Sequence, residues 1–158
     1  MLLIEVLVAL LLFVLGILGL VGAMGYTQAA QTDARFRSDA AKLASDIVQN
    51  IRLTADRSTE ANFETSLKSF EHQPTSTANC AFSGAASAQP EVTAWVSSAT
   101  STTSTVVLPG ATSAMQQILV DNSVSGLNKV AVTLCWKAPK DLAARKHVYS
   151  AYINENFN

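Results

Sequence analysis

The chain has 158 residues, 49% hydrophobic and 15% charged, with a formal net charge of −1. That length predicts one domain in addition to any membrane segment, and so even a charge balance argues for no particular class of partner. The apolar residues crowd into the first thirty positions, leaving a Ser-, Thr- and Ala-rich remainder with the composition of a soluble domain of modest core.

Glu5 is the only charged side chain before Asp33, and it interrupts the apolar run MLLIEVLVALLLFVLGILGLVGAM. An ionised group at the centre of a bilayer costs roughly 2.5–3.5 kcal/mol, less near one end, and such groups are usually paired and functional. Two partners are available by position. One is the partial positive charge of the helix N-terminus. The other is an α-amino group at Met1, on this chain or a neighbour. From Val6 to Ala30 there is neither charge nor proline, enough helix to cross a hydrocarbon core of about 30 Å. A cleaved secretory signal would carry a basic n-region, a shorter apolar core and a small-residue cleavage site; the run has none of these. Residues 1–30 are therefore expected to be a transmembrane helix. Gly16, Gly19, Gly22 and Gly25 recur at every third position. They read equally as small residues tolerated in a lipid-facing helix and as a packing or hinge face. On either reading they mark the softest part of the helix.

Helical periodicity continues past the apolar run. Phe36, Ala40, Leu43, Ala44, Ile47 and Ile51 recur at spacings of three and four, and Asp33/Arg37, Arg35/Asp39 and Lys42/Asp46 form i,i+4 pairs suited to a solvated face. The first proline is Pro74. A single helix over 1–53 follows, roughly 75–80 Å long if continuous, its first half in lipid and its second laid against a head formed by 54–158.

In the head, 54–88 is expected to be irregular. Residues 89–99 read equally as a short helix opened by Pro90 and as a strand, and Ser97–Thr105 (SSATSTTST) as an exposed loop. Strand signals come late. They are AMQQILVD over 114–121, a turn containing Gly126, VAVTLCW over 130–136 and HVYSAYI over 147–153. In the second of these Val130, Val132, Leu134 and Trp136 face one way and Ala131, Thr133 and Cys135 the other. Three or four antiparallel strands covered by the amphipathic half of the helix make an α+β fold.

Cys80 and Cys135 are the only cysteines. In an exported chain they read as one disulfide, with two buried free thiols as the alternative. His72 and His147 stand apart, so no metal site and no cofactor is expected. No nucleophile elbow, P-loop or dinucleotide fingerprint occurs, and the chain does not read as an enzyme. Lys137, Lys140, Arg145 and Lys146 cluster near Trp136 and Tyr149. A solvated loop between strands is the preferred reading, with nucleic-acid or surface binding left open.

The opening LIEVLVALLLFVLGILGL, with its lone Glu5, resembles the mature N-terminal helix of type IV pilins. Glycine at position 22, where major pilins usually carry proline, together with GILGLVGAM, KLASDIVQNIR, the Trp95-to-LPG spacing and VAVTLCW, is more similar to minor pilins of the PilV type. The resemblance is specific over the helix and loose over the head. It implies a structural subunit that primes or caps a filament and supports adhesion, twitching motility or DNA uptake. Minor pseudopilins of type II secretion and abundant major pilins are the alternatives. It also implies removal of a leader by a prepilin peptidase, methylation of Met1, and pairing of Glu5 with the N-terminal amine of an adjacent subunit. Gly16–Gly25 would be where the helix softens. The implied partners are other major and minor pilins through the N-terminal helix, the bacterial inner membrane before assembly, and a tip adhesin. The implied location is the inner membrane with a periplasmic head, then the extracellular pilus.

Overall fold

The computed structural model describes residues 2–76, 80–103, 106–124, 127–139 and 141–153. The chain divides into two compact units, Met1–Phe36 and Arg37–Asn158. The first unit is helix alone: α1 is assigned without a break over Leu2–Thr54. Residues 3–32 are exposed on every side of it.

Among the described residues the second unit contains the rest of α1, two further helices, α2 (Glu60–Ser69) and α3 (Pro90–Thr100), a single 3-10 turn at Ser113–Met115, and strands β1 (Gln116–Val124), β2 (Leu127–Trp136) and β3 (Arg145–Ile153). The strands form one antiparallel sheet in the order β1-β2-β3. This is the α+β layout that the residue pattern predicts, with three strands.

Within this unit Ala40, Leu43, Ala44, Ile47, Val48 and Ile51 of α1 are buried. They recur at spacings of three and four, so they share one stripe. One face of the sheet is equally closed: Ile118 and Val120 of β1, Val130, Val132, Leu134 and Trp136 of β2, and Ala151 and Ile153 of β3. Cross-strand register puts these residues on the same side, because side chains directly opposite in a ladder share a face. Hydrogen bonds from side chains also tie α1 into the unit. The Trp95 indole donates to the Leu43 carbonyl at 2.9 Å, and the Arg52 guanidinium donates to the Tyr152 carbonyl at 3.3 Å.

Several local expectations change. The segment after α1 is not irregular throughout, because α2 lies within it. Phe63 and Leu67 are both fully buried, one helical turn apart, which draws this otherwise polar stretch into a helix. The Thr59 hydroxyl caps it by accepting from the Asn62 N–H at 3.2 Å, satisfying one of the orphan donors of the first turn. Residues 90–100 are helix, not strand. Pro90 opens the helix, where its missing N–H costs nothing. Val92, Trp95, Val96 and Ala99 are buried, again at helical spacing. The Ser/Thr-rich run is consequently helical from Ser97 to Thr100. Ser97, Ser98 and Thr100 keep that conformation by turning their hydroxyls back to carbonyls four residues earlier, a bond that satisfies a small polar side chain inside a helix. Ser104, Thr105 and Gly126 lie outside the described residues.

The alternation expected in β2 holds for one face only. Val130, Val132, Leu134 and Trp136 are closed off as anticipated, but Cys135 on the opposite side is also fully buried and Thr133 nearly so. The loop carrying Cys80 folds over that end of the sheet, and Cys80, Met115 and Cys135 form a small second cluster flanked by Phe82 and Ala144.

Candidate functional site

The most unusual surface of this protein is the first unit. Leu3, Ile4, Val6, Leu7, Val8, Leu10, and the other large apolar residues through Met24 are each 46–81% exposed. An 18-residue window of the helix has a mean hydropathy of 3.0 and none of it is buried. A helix apolar on one stripe is covered by its own core; one apolar all round needs lipid or other helices around it. The segment is long and apolar enough to span a membrane.

Glu5 lies in the first turn of this helix. There the unsatisfied N–H groups and the macrodipole favour a negative charge. Its neighbours in sequence are aliphatic, and the carboxylate is exposed within the chain. Met1, its expected partner in assembly and the expected site of methylation, lies outside the described residues.

Gly16, Gly19, Gly22 and Gly25 are all helical. A Cβ at any of them would meet nothing within 4 Å. A step of three residues turns a helix by about −60°, so the four positions wind half-way round it instead of lining a single stripe. Nothing in the chain crowds these positions, so what sets them apart is glycine's low helix propensity.

Cys80 and Cys135 are joined in a disulfide, with Cα atoms 6.4 Å apart across 55 residues of chain. Among the described residues no group of His, Cys, Asp and Glu is arranged to hold a metal.

The histidines part company. His147 sits on β3, whereas His72 is buried and its backbone pairs with that of Ile118 in an isolated bridge. Its Nδ1 accepts from the Ser87 N–H at 3.2 Å, and its Nε2 lies 3.4 Å from the Ser113 carbonyl. That pattern requires a neutral ring protonated on Nε2. Burial holds its pKa below the ordinary histidine value, with the Ser113 carbonyl acting in the opposite direction.

Among the described residues of the basic cluster, Trp136 offers no exposed ring for stacking. Trp136 is fully buried, and Arg145 is held by Asp141 through bonds of 2.8 and 2.9 Å. Lys140 lies outside the described residues.

One constellation has no signature in the sequence. Along the side of β1 away from β2, the Val120 N–H donates to Glu71 Oε1 at 3.2 Å, and Lys68 Nζ donates to the Val120 carbonyl at 2.8 Å. Lys68 and Glu71 are themselves paired at 3.2 Å. Together with the His72–Ile118 bridge, these side chains occupy the outward backbone groups of Ile118 and Val120, which a further strand would use. The only hint was the i,i+3 spacing of Lys68 and Glu71, which is common on solvated helices.

The fold and its exposed helix define a class: an α+β chain with a membrane-length N-terminal helix and a disulfide-bonded head. Comparison with family models, curated proteins and solved structures finds no match to the chain.

Proposed function

We infer that the chain is a structural subunit of a type IV pilus, acting as a minor pilin that primes or caps filament assembly. The observation that carries this reading is a helix exposed and apolar on all sides, interrupted only by an acid in its first turn. Before assembly the lipid bilayer solvates that helix. In the filament, the equivalent helices of neighbouring pilins replace the lipid. Glu5 then pairs with the α-amino group at the start of an adjacent chain. This offsets desolvation of two charges that would each be costly alone.

The pairing also gives register. An apolar rod slides along its neighbours with little change in energy, whereas one buried acid meeting one amine selects a single offset, much as a buried polar residue fixes the register of a coiled coil. Gly16–Gly25 supply the weak segment where the helix loses regularity during extraction from the membrane. The disulfide-bonded head stays outside the cytoplasm and carries the contacts to other pilins, an adhesin or DNA.

The test is to express Glu5→Ala beside the native subunits, shear the surface filaments, and count this chain against the other pilins by quantitative mass spectrometry. The expected result is a low copy number for the native chain and loss of the variant from filaments while its membrane level is maintained. Incorporation of Glu5→Ala at the native level would overturn the reading in favour of a simple membrane anchor. A native chain missing from sheared filaments but needed for protein secretion would assign it to a type II secretion pseudopilus, and a high copy number to a major pilin.

A further inference from the structure

A buried histidine joins several segments of the head. After His72 the chain runs out and back as an arm. The Gln73 N–H donates to the Ala85 carbonyl at 2.8 Å, the Thr75 hydroxyl to the Gly84 carbonyl at 3.2 Å, and the Ser76 N–H to the Phe82 carbonyl at 3.3 Å. Between these limbs, Cys80 is bonded to Cys135 of β2. His72 stands at the base of the arm, 4% exposed, and its backbone exchanges bonds of 2.8 and 3.0 Å with Ile118 of β1. Its ring lies between the Ser87 N–H, at the base of the returning limb, and the Ser113 carbonyl just before β1. Ser87 opens the short connector to α3.

The two ring contacts respond oppositely to a proton. The neutral ring donates at Nε2 and accepts at Nδ1. A proton added at Nδ1 sets one donor against another at 3.2 Å, whereas the Ser113 contact keeps its sense and gains a charged donor. The surrounding charges leave the new cation without a free carboxylate. Glu71 Oε1 is already taken by Lys68 Nζ and the Val120 N–H. No charged residue occurs from Gln73 to Pro90 or from Ser113 to Val120; the next along these elements are Glu91 of α3, Asp121 of β1 and Lys137 just past β2. We propose that His72 is an acid-sensitive latch: protonation at Nδ1 releases the Ser87 N–H and loosens the connector Ser87–Gln89, while the rest of the head stays folded. What then holds the connector are the Ser87 hydroxyl bond to the Ser69 carbonyl and the Gln89 amide bond to the Ser69 hydroxyl, both exposed, where water competes for the same groups. The disulfide, the His72–Ile118 bridge and the Trp95 bond to Leu43 are untouched by the proton, so the opening is local and reversible. In an exported head, the location inferred above, this surface meets the pH of the surroundings.

The test follows the full chain in detergent micelles by nuclear magnetic resonance from pH 7.5 to pH 5, and its outcome is independent of where the head resides. The expected result is a His72 ring protonated on Nε2 at pH 7.5, with the ring nitrogens and the Ser87 amide then following one titration curve. Hydrogen exchange at Ser87, corrected for the chemical rate, should speed by about tenfold, the scale of one hydrogen bond. The Val130 and Val132 amides of β2 should keep their protection. His72→Gln offers a neutral acceptor and donor at every pH and should hold Ser87 protected at both ends of the range. A ring that stays neutral to pH 5, a Ser87 amide indifferent to the ring's titration, or an equal loss of protection in β2 overturns the proposal in the native chain alone. The same acid response in His72→Gln also overturns it.

Discussion

Trp95 of α3 donates its indole N–H to the backbone carbonyl of Leu43 in the middle of α1. That carbonyl belongs to an intrahelical ladder and has two lone pairs, so it serves the ladder and the indole together. The bond is buried, which fixes how α3 lies along the buried stripe of α1. It also gives a large aromatic side chain a partner for its one polar atom.

Replacing Trp95 separates these contributions. Trp95→Phe keeps most of the apolar area and loses the bond, with an expected destabilisation of about 1 kcal/mol. Trp95→Ala also opens a cavity and should cost about 3–5 kcal/mol. Urea midpoints of the detergent-solubilised chain, followed by near-ultraviolet circular dichroism, measure both. Equal losses for the two variants would show that the hydrogen bond, not the packing, dominates.

Gly110 has φ of +63°, and a Cβ there would lie 2.4 Å from the Lys137 carbonyl oxygen. That oxygen is backbone at the end of β2, where Lys137 N–H also donates to the Pro109 carbonyl at 2.9 Å, so it has little room to yield. Gly110→Ala should therefore destabilise the head by about 2–3 kcal/mol. Gly16→Ala, whose Cβ meets nothing within 4 Å, should leave the head's midpoint unchanged. A shift of similar size for both would count against the close approach as the cause.

The disulfide closes a loop of 55 residues, which in the chain-entropy model corresponds to about 4 kcal/mol. Cys135 is fully buried, so reduction should be slow in the folded head and fast once it unfolds. The paired variant Cys80→Ala with Cys135→Ala should lower the urea midpoint by that order. An unchanged midpoint would mean that the Met115 and Phe82 packing holds the loop on its own.

His72 gives a pH dependence of determinate sign. Its pKa in the folded state is lowered from 6.5 by burial, so above that value both states are neutral and the group has no effect. As pH falls below 6.5 the unfolded chain takes up a proton that the folded chain resists. Stability is lost on this account until the folded value is reached, and is level below it. Protonation would also turn Nδ1 from an acceptor into a donor facing the Ser87 N–H. Unfolding measured at pH 7.5 and at pH 5 should show the loss in the native chain and a smaller one in His72→Gln. The pKa values of Asp56 and Asp121 are lowered by hydrogen bonds from Ser58 and Ser123; what these groups contribute to stability is in place above 3.8 and is lost as pH falls through that value, so it does not change between pH 7.5 and 5.

The extent of α1 and the apolar character of its first half were legible from the residues, because a run without charge or proline has one economical conformation in lipid and the 3.6-residue period carries on beyond it. The strands near the C-terminus were legible because alternation over 130–136 is strong. The cysteine pairing followed from there being only two. Helix α2 is not legible in the same way, although Phe63, Leu67 and Phe70 have helical spacing, since three apolar residues in a polar stretch make a weak local signal. The choice between helix and strand at 90–100 could not be made locally, because the deciding contact, Trp95 with Leu43, spans 52 residues.

What the residues determined alone are properties of one segment at a time: periodicity, charge placement and a lone acid in an apolar run. What tertiary structure decided are properties of pairs far apart in the chain. These include burial of His72, closure of both sides of Cys135, and sealing of the β1 edge by Lys68 and Glu71. Side chains such as lysine, glutamate and histidine are compatible with solvent or with a partner. Only the arrival of a second segment settles which free energy is lower.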